Sequence, residues 1–139
     1  MFVIFDLDGT LANVEHRVHH LEQKDWDSFY EACDADAPCL PLIKTAAALF
    51  IAGHRVEIWS GRSDAVARKT ADWIETHGLR LMKIRMRQAN DYRPDTLLKA
   101  GWLDEVEALP DLVFEDRASM VEMYRGRGIL CAQVAPGEF

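Results

Sequence analysis

An α/β fold, with a mostly parallel central sheet flanked by helices, is predicted by three observations. Short apolar runs alternate with helical patterns along the chain. Three of those runs stop at polar residues: FVIF at Asp6, VEIW at Ser60, and LVF at Glu115 and Asp116. The 139 residues, 49% hydrophobic and 28% charged, suffice for one domain, 1–139, that buries about two-thirds of its unfolded surface.

The expected strands are residues 2–5, 55–59, 82–86, 112–115 and 129–132. Between them lie helices with readable ends. Pro41 sits in the first turn of one, and Gly53 follows its last residue. A second begins near Ser63 and turns Val66, Trp73, Ile74 and His77 toward one face before Gly78. A third starts after Pro94 and carries Leu98, Trp102 and Val106. The stretch MKIRMR alternates apolar and basic residues with period two, as an edge strand guarded by charge does. Residues 13–40 are polar and rich in His and Asp. They read as a small cap-like insertion over the sheet, with short helices near 14–21 and 26–33.

Composition excludes several classes. A formal net charge of −7 argues against a protein whose task is to coat nucleic acid, while leaving room for a local basic patch. No run of about 18 apolar residues is present, so no membrane span is expected. MFVIFD lacks a basic leader and a cleavage site; it reads as a strand, and the expected compartment is the cytoplasm. Cys33, Cys39 and Cys131 form no CxxC pair and leave an odd count, which fits reduced thiols.

In a parallel sheet the polar strand ends emerge together at the carboxyl edge, where α/β proteins bind ligands. Asp6, Asp8 and Asp116 gathered there repel one another and call for a divalent cation; hard oxygen ligands suit Mg²⁺. The bland alternative makes them turn and cap residues. An EF-hand reading of DLDG fails, since the sixth and twelfth positions from Asp6 are Leu11 and Arg17 where Gly and Glu are needed. Lys99 lies one helical turn after Asp95, on the same face, and is placed either to pair with it and the acid cluster or to sit in solvent. His16, His19 and His20 share helical spacing without a supporting cysteine, which favours an exposed helix over zinc. Trp26 is a candidate for stacking on a base. Among the basic residues near the edge strand, Lys83 and Arg85 read as guards, and Arg87 and Arg93 as candidate substrate contacts.

DLDGTLA, WSGR, Lys99 and FEDR, in this order, resemble the four motifs of the haloacid dehalogenase (HAD) superfamily of phosphotransferases. MRQANDYRPDTLLK and EDRASMVEMYRGRGILCAQVAPGEF are similar to the 3′-phosphatase domain of bacteriophage polynucleotide kinase/phosphatase. The resemblance implies a Rossmannoid three-layer sandwich and a phosphoric monoester hydrolase. Asp6 would be the nucleophile that forms an aspartyl-phosphate, and Asp8 the group that moves protons. Mg²⁺ would be held by Asp6, the carbonyl of Asp8 and Asp116, with Glu115 acting through a water. Ser60, Lys99 and amides after Asp8, Gly9 among them, would hold phosphoryl oxygens, with Gly61 and Arg117 beside them. Arg17 would clamp the substrate from above, Arg62 would reach the phosphate with a bidentate fork, and Asp95 would orient Lys99 or an arginine.

The leading substrate is then a 3′-phosphorylated DNA or RNA end, and the alternative a nucleotide or small phosphomonoester. A receiver-type phosphoacceptor module is the reading from a different class. No GxxxxGK[ST] motif occurs in these 139 residues, so ATP-dependent phosphorylation is not expected of them.

Overall fold

A computed structural model describes residues 1–137. In chain order the elements are β1 (Phe2–Phe5), β2 (Ala12–Asn13), α1 (His19–Glu22), α2 (Trp26–Glu31), β3 (Ala37–Pro38), α3 (Leu40–Ile51), β4 (Arg55–Ser63), α4 (Ala67–Thr76), β5 (Lys83–Arg87), α5 (Asp95–Glu105), β6 (Leu112–Glu115), α6 (Ala118–Gly126) and β7 (Leu130–Gln133). Short 3₁₀ turns occupy Glu15–Arg17, Ala32–Ala35 and Asp64–Val66.

The sheet has five parallel strands in the order β5-β4-β1-β6-β7. Counted among themselves, these strands run 3-2-1-4-5. A receiver has the order 2-1-3-4-5, so that alternative is set aside by topology. The chain leaves β1 toward one side of the sheet and later crosses to the other, so the loops after β1 and β6 diverge and open a crevice at their carboxyl ends.

β1 is buried on both faces, which explains its unbroken apolar sequence. Val3 and Phe5 point into a core with Ile58, Trp73 and Ile74; Phe2 and Ile4 point into a second core with Trp59, Trp102, Val113 and Tyr124. Helices α3 and α4 cover the first face, and α5 and α6 the second, giving a three-layer sandwich of the HAD-like Rossmannoid kind. Phe5 stacks on Phe114 with ring centroids 4.4 Å apart, which ties β1 to β6 directly behind the acids.

The edge strand β5 carries its predicted guards. Lys83 lies 3.8 Å from Glu57, and Arg85 pairs with Glu105 while its guanidinium sits over Trp59 and Trp102. Two features differ from expectation. β4 runs on past Trp59 to Ser63 through a register irregularity between Ser60 and Ser63, because its WSGR segment bends while still pairing with β5. Residues 13–40 also contain an antiparallel pair, β2 with β3, that closes the base of the insertion.

Replacing Phe5 by Ala is expected to cost about 3–5 kcal/mol of stability, since a fully buried stacked ring leaves a cavity. Urea unfolding of the variant checks this.

Candidate active site

The end of β1 delivers Asp6 and the end of β6 delivers Glu115 and Asp116, and all three are buried. Their carboxylate oxygens lie within 4.8 Å of one another. Lys99, one turn into α5, reaches across to this cluster. Its Nζ donates to Asp6 Oδ1 and, at 3.1 Å, to Glu115 Oε2. Glu115 Oε1 accepts from the backbone N–H of Asp116 at 3.1 Å, which fixes the turn that presents Asp116.

One ammonium therefore faces three buried carboxylates. Burial first, then Glu115, pushes the carboxyl of Asp6 well above its ordinary range, with Lys99 opposing. Burial and Glu115 push Asp116 up to about 7. Among the described residues, Asp116 Oδ2 is buried and has no hydrogen-bond partner. An orphaned carboxylate oxygen in an all-oxygen cluster with excess negative charge is what a hard divalent cation requires, so the donor set fits Mg²⁺. The site around Asp116 is also closely built. Gln133 Nε2 donates to its carbonyl at 2.9 Å, and a Cβ on Gly137 would meet that same backbone at 2.5 Å.

Asp8 belongs to a second ion network. Arg17 Nη2 donates to Asp8 Oδ1 at 2.7 Å, and Arg62 Nη2 also pairs with that oxygen. Behind them lies Asp36, fully buried. Its Oδ1 accepts from Arg17 Nε at 2.7 Å, and its Oδ2 accepts from Arg17 Nη2 at 2.7 Å and Arg62 Nη2 at 2.9 Å. Arg17 also stacks over Phe29 and donates to its carbonyl, while Arg62 donates to Thr70. Burial alone would raise the carboxyl of Asp8; Arg62 and Arg17 overcome it and hold the group below the usual carboxylate range.

This arrangement changes several expectations. Arg17 is an interior residue with 0% exposure, committed to two carboxylates, and does not project over the site as a clamp. The fork of Arg62 is likewise spent on Asp8 and Asp36. The Gly9 N–H donates to the Ala12 carbonyl at 2.9 Å, so this amide closes the turn after Asp8 and is not aimed at a phosphate. Of the two kinds of partner expected for Asp95, arginine is the one found, and Lys99 is not. Asp95 takes Arg87 on one oxygen and, at 2.8 Å, Arg117 on the other, because Lys99 is drawn to the denser negative charge on Asp6 and Glu115. A Cβ at Gly61 would meet Asp95 Oδ1 at 2.6 Å, which explains the glycine after Ser60. Ser60 is buried, and its Oγ accepts from the Arg62 N–H at 3.1 Å.

Arg87 is a structural tie, with its guanidinium on the carbonyls of Gly61, Asp91 and Arg93. Arg93 pairs with Asp91. His16 turns to Asp36 at 2.8 Å, and His19 and His20 stack on each other, so the three do not converge on a metal. Among the described residues, the chelating side chains that come together are Asp6, Glu115 and Asp116. Trp26 is half exposed and packs near Phe29 and Tyr30. Cys33, Cys39 and Cys131 are free thiols. The residue that sequence reasoning missed is Asp36. It looks like any acid in CDADAP, and only its meeting with two distant arginines distinguishes it.

Changing Asp36 to Ala is expected to lower stability by about 3–5 kcal/mol, because two buried guanidiniums are left sharing Asp8. Under conditions where the variant is folded by circular dichroism, displacement of Asp8 should reduce kcat by about 100-fold.

The comparisons with known proteins agree with this geometry. A chain in the solved Pnkp1/Rnl/Hen1 RNA repair complex is 27% identical, with a TM-score of 0.83 over 99% of this chain and 43% of that one. A chain from a second Pnkp1/Rnl/Hen1 complex, also 27% identical, gives 0.85 over 99% and 47%. This chain thus spans less than half the length of those relatives. A phosphoserine phosphatase solved as a phospho-aspartyl intermediate analogue is 14% identical, covering 96% of this chain and 93% of its own, and its TM-score of 0.53 speaks to the fold alone. The sequence model of the polynucleotide kinase PNKP phosphatase domain matches residues 1–139. The chain belongs to that family, the phosphoric monoester hydrolases of the PNKP phosphatase domain, built on the HAD fold.

Proposed function

We propose that this domain is a Mg²⁺-dependent polynucleotide 3′-phosphatase that works through an aspartyl-phosphate on Asp6. The observation that carries the reading is the pairing of Asp6 with Lys99 beside Glu115 and an Asp116 oxygen that has no hydrogen-bond partner among the described residues. Asp6, Glu115 and Asp116 would hold the ion, together with the carbonyl of Asp8. When bound, Mg²⁺ neutralises the acids and draws negative charge off the transferring phosphoryl group.

Lys99 sets one oxygen of Asp6 by hydrogen bonding and leaves the carboxylate facing the crevice. Asp6 attacks phosphorus in line; an Asp6–phosphorus bond forms as the bond to the 3′-oxygen breaks. Asp8 gives the departing oxygen a proton. It then takes one from the water that hydrolyses the intermediate, which releases phosphate and restores Asp6. Arg17 and Arg62 serve this cycle by fixing the position of Asp8. The dianionic phosphate, once seated, offsets their positive charge and lets Asp8 carry the proton. Ser60 and the Gly61 amide line the same edge and are assigned to the phosphoryl oxygens.

The family match and the relatives found in Pnkp1/Rnl/Hen1 assemblies support a nucleic-acid end as the substrate. Phosphate release from 3′-phosphorylated oligonucleotides, 5′-phosphorylated oligonucleotides, nucleoside monophosphates and an aryl phosphate tests this. The 3′-phosphorylated oligonucleotide is expected to show a kcat/KM at least about tenfold above the others. Equal values for the aryl phosphate would exclude the polynucleotide assignment. Asp6→Asn is expected to abolish turnover with the fold intact by circular dichroism, and chelation of Mg²⁺ to abolish it reversibly in the wild type.

A further inference from the structure

Beside the phosphate site lies an open groove of about 810 Å³ that the proposed chemistry does not use. Asp64 forms one side, and residues 88–93, including Gln88, Asn90, Asp91, Tyr92 and Arg93, form the other. Tyr92 is 87% exposed. Both faces of its ring are thus open to a flat ligand.

The loop is nonetheless held firmly. Arg87 Nη1 donates to the carbonyls on either side of Tyr92, Asp91 at 2.9 Å and Arg93 at 2.7 Å. The Asp91 N–H bonds to the Gln88 carbonyl at 3.0 Å, and the Asp91 carboxylate binds Arg93. Arg87 also donates from Nε to the Gly61 carbonyl at 2.8 Å and pairs with Asp95. One guanidinium thus joins the backbone around Tyr92 to the end of β4 after Ser60, at Gly61. The backbone that carries the ring is thereby tied to Gly61, next to Ser60, which lessens the ordering left to occur on binding.

Charge decides which part of a nucleotide fits. Asp64 and Asp91 face the groove against Arg93 alone, and the Asp91–Arg93 pair is self-contained, so a phosphate is repelled there. The amides of Gln88 and Asn90 offer donors and acceptors suited to a neutral heteroaromatic edge. Tyr92 offers a face for stacking, which is worth a factor of about 5 to 100 in affinity per base.

We propose that this groove is a nucleobase subsite: the base next to the scissile 3′-phosphate stacks on Tyr92 and is hydrogen-bonded by Gln88 and Asn90. The inference rests on the polynucleotide reading above. Its test is the ratio of kcat/KM for a 3′-phosphorylated oligonucleotide to that for an aryl phosphate, measured in the wild type, Tyr92→Ala and Tyr92→Trp. The wild type is also given the same oligonucleotide with abasic sites at its 3′ end. The ratio is expected to fall about 5- to 100-fold in Tyr92→Ala, chiefly through KM, to be kept in Tyr92→Trp, and to fall similarly for the abasic substrate. A wild type that prefers the oligonucleotide, with a Tyr92→Ala ratio within about twofold of it, overturns the subsite and leaves the phosphatase assignment standing. A wild type with no preference for the oligonucleotide overturns that assignment and the subsite together.

Discussion

Unbalanced negative charge at the carboxyl ends of β1 and β6 is the constraint on which the rest of the structure depends. Asp6, Glu115 and Asp116 are packed into one buried cluster with a single ammonium, Lys99, among them. Such a cluster is costly in a low-dielectric interior, and the fold holds it because β1, buried along its whole length, and its parallel neighbour β6 end side by side. Phe5 stacked on Phe114 fixes the two strands, and Gln133 and Gly137 fix the backbone of Asp116 from behind. The site is thereby rigid before any ion or phosphate arrives, as electrostatic catalysis needs.

A second network has the opposite character. Asp8 and Asp36 are matched by Arg17 and Arg62, two charges against two, so this group is self-sufficient. Its effect is to separate Asp8 from Asp6 in chemistry although only Leu7 lies between them. One acid belongs to the Glu115–Asp116 cluster; the other pairs with guanidiniums. Residues 13–40 contribute Arg17 and Asp36 to this network from inside the fold. A third group, Asp95 between Arg87 and Arg117, closes the wall beside Gly61 and connects it to the loop bearing Tyr92.

Much of this could be read from the chain itself. Apolar runs ending in Asp6, Ser60 and Glu115 announce a parallel sheet with its chemistry at one edge, since a strand buried on both faces has few ways to be written. Spacing alone left Lys99 open between the acid cluster and solvent, and only its burial against Asp6 and Glu115 decides between them. Asp95 lay closer in sequence, yet the buried acids outcompeted it. What stayed hidden depends on tertiary meetings that leave no periodic mark. Arg17 and Asp36 are 19 residues apart and become partners only when the insertion folds back. The role of Gly9 in its turn and the extension of β4 through Ser63 are set by hydrogen bonds and a strand irregularity that hydrophobic patterning does not record.

The proposed chemistry has a single centre, the use of Asp6 as a nucleophile. It is tested most directly by the stereochemical course at phosphorus, followed with a 3′-thiophosphorylated oligonucleotide made chiral by oxygen isotopes. Two successive in-line displacements, by Asp6 and then by water, predict net retention of configuration. Net inversion would mean that water attacks the substrate directly, and that Asp6 serves the cluster without forming a bond to phosphorus.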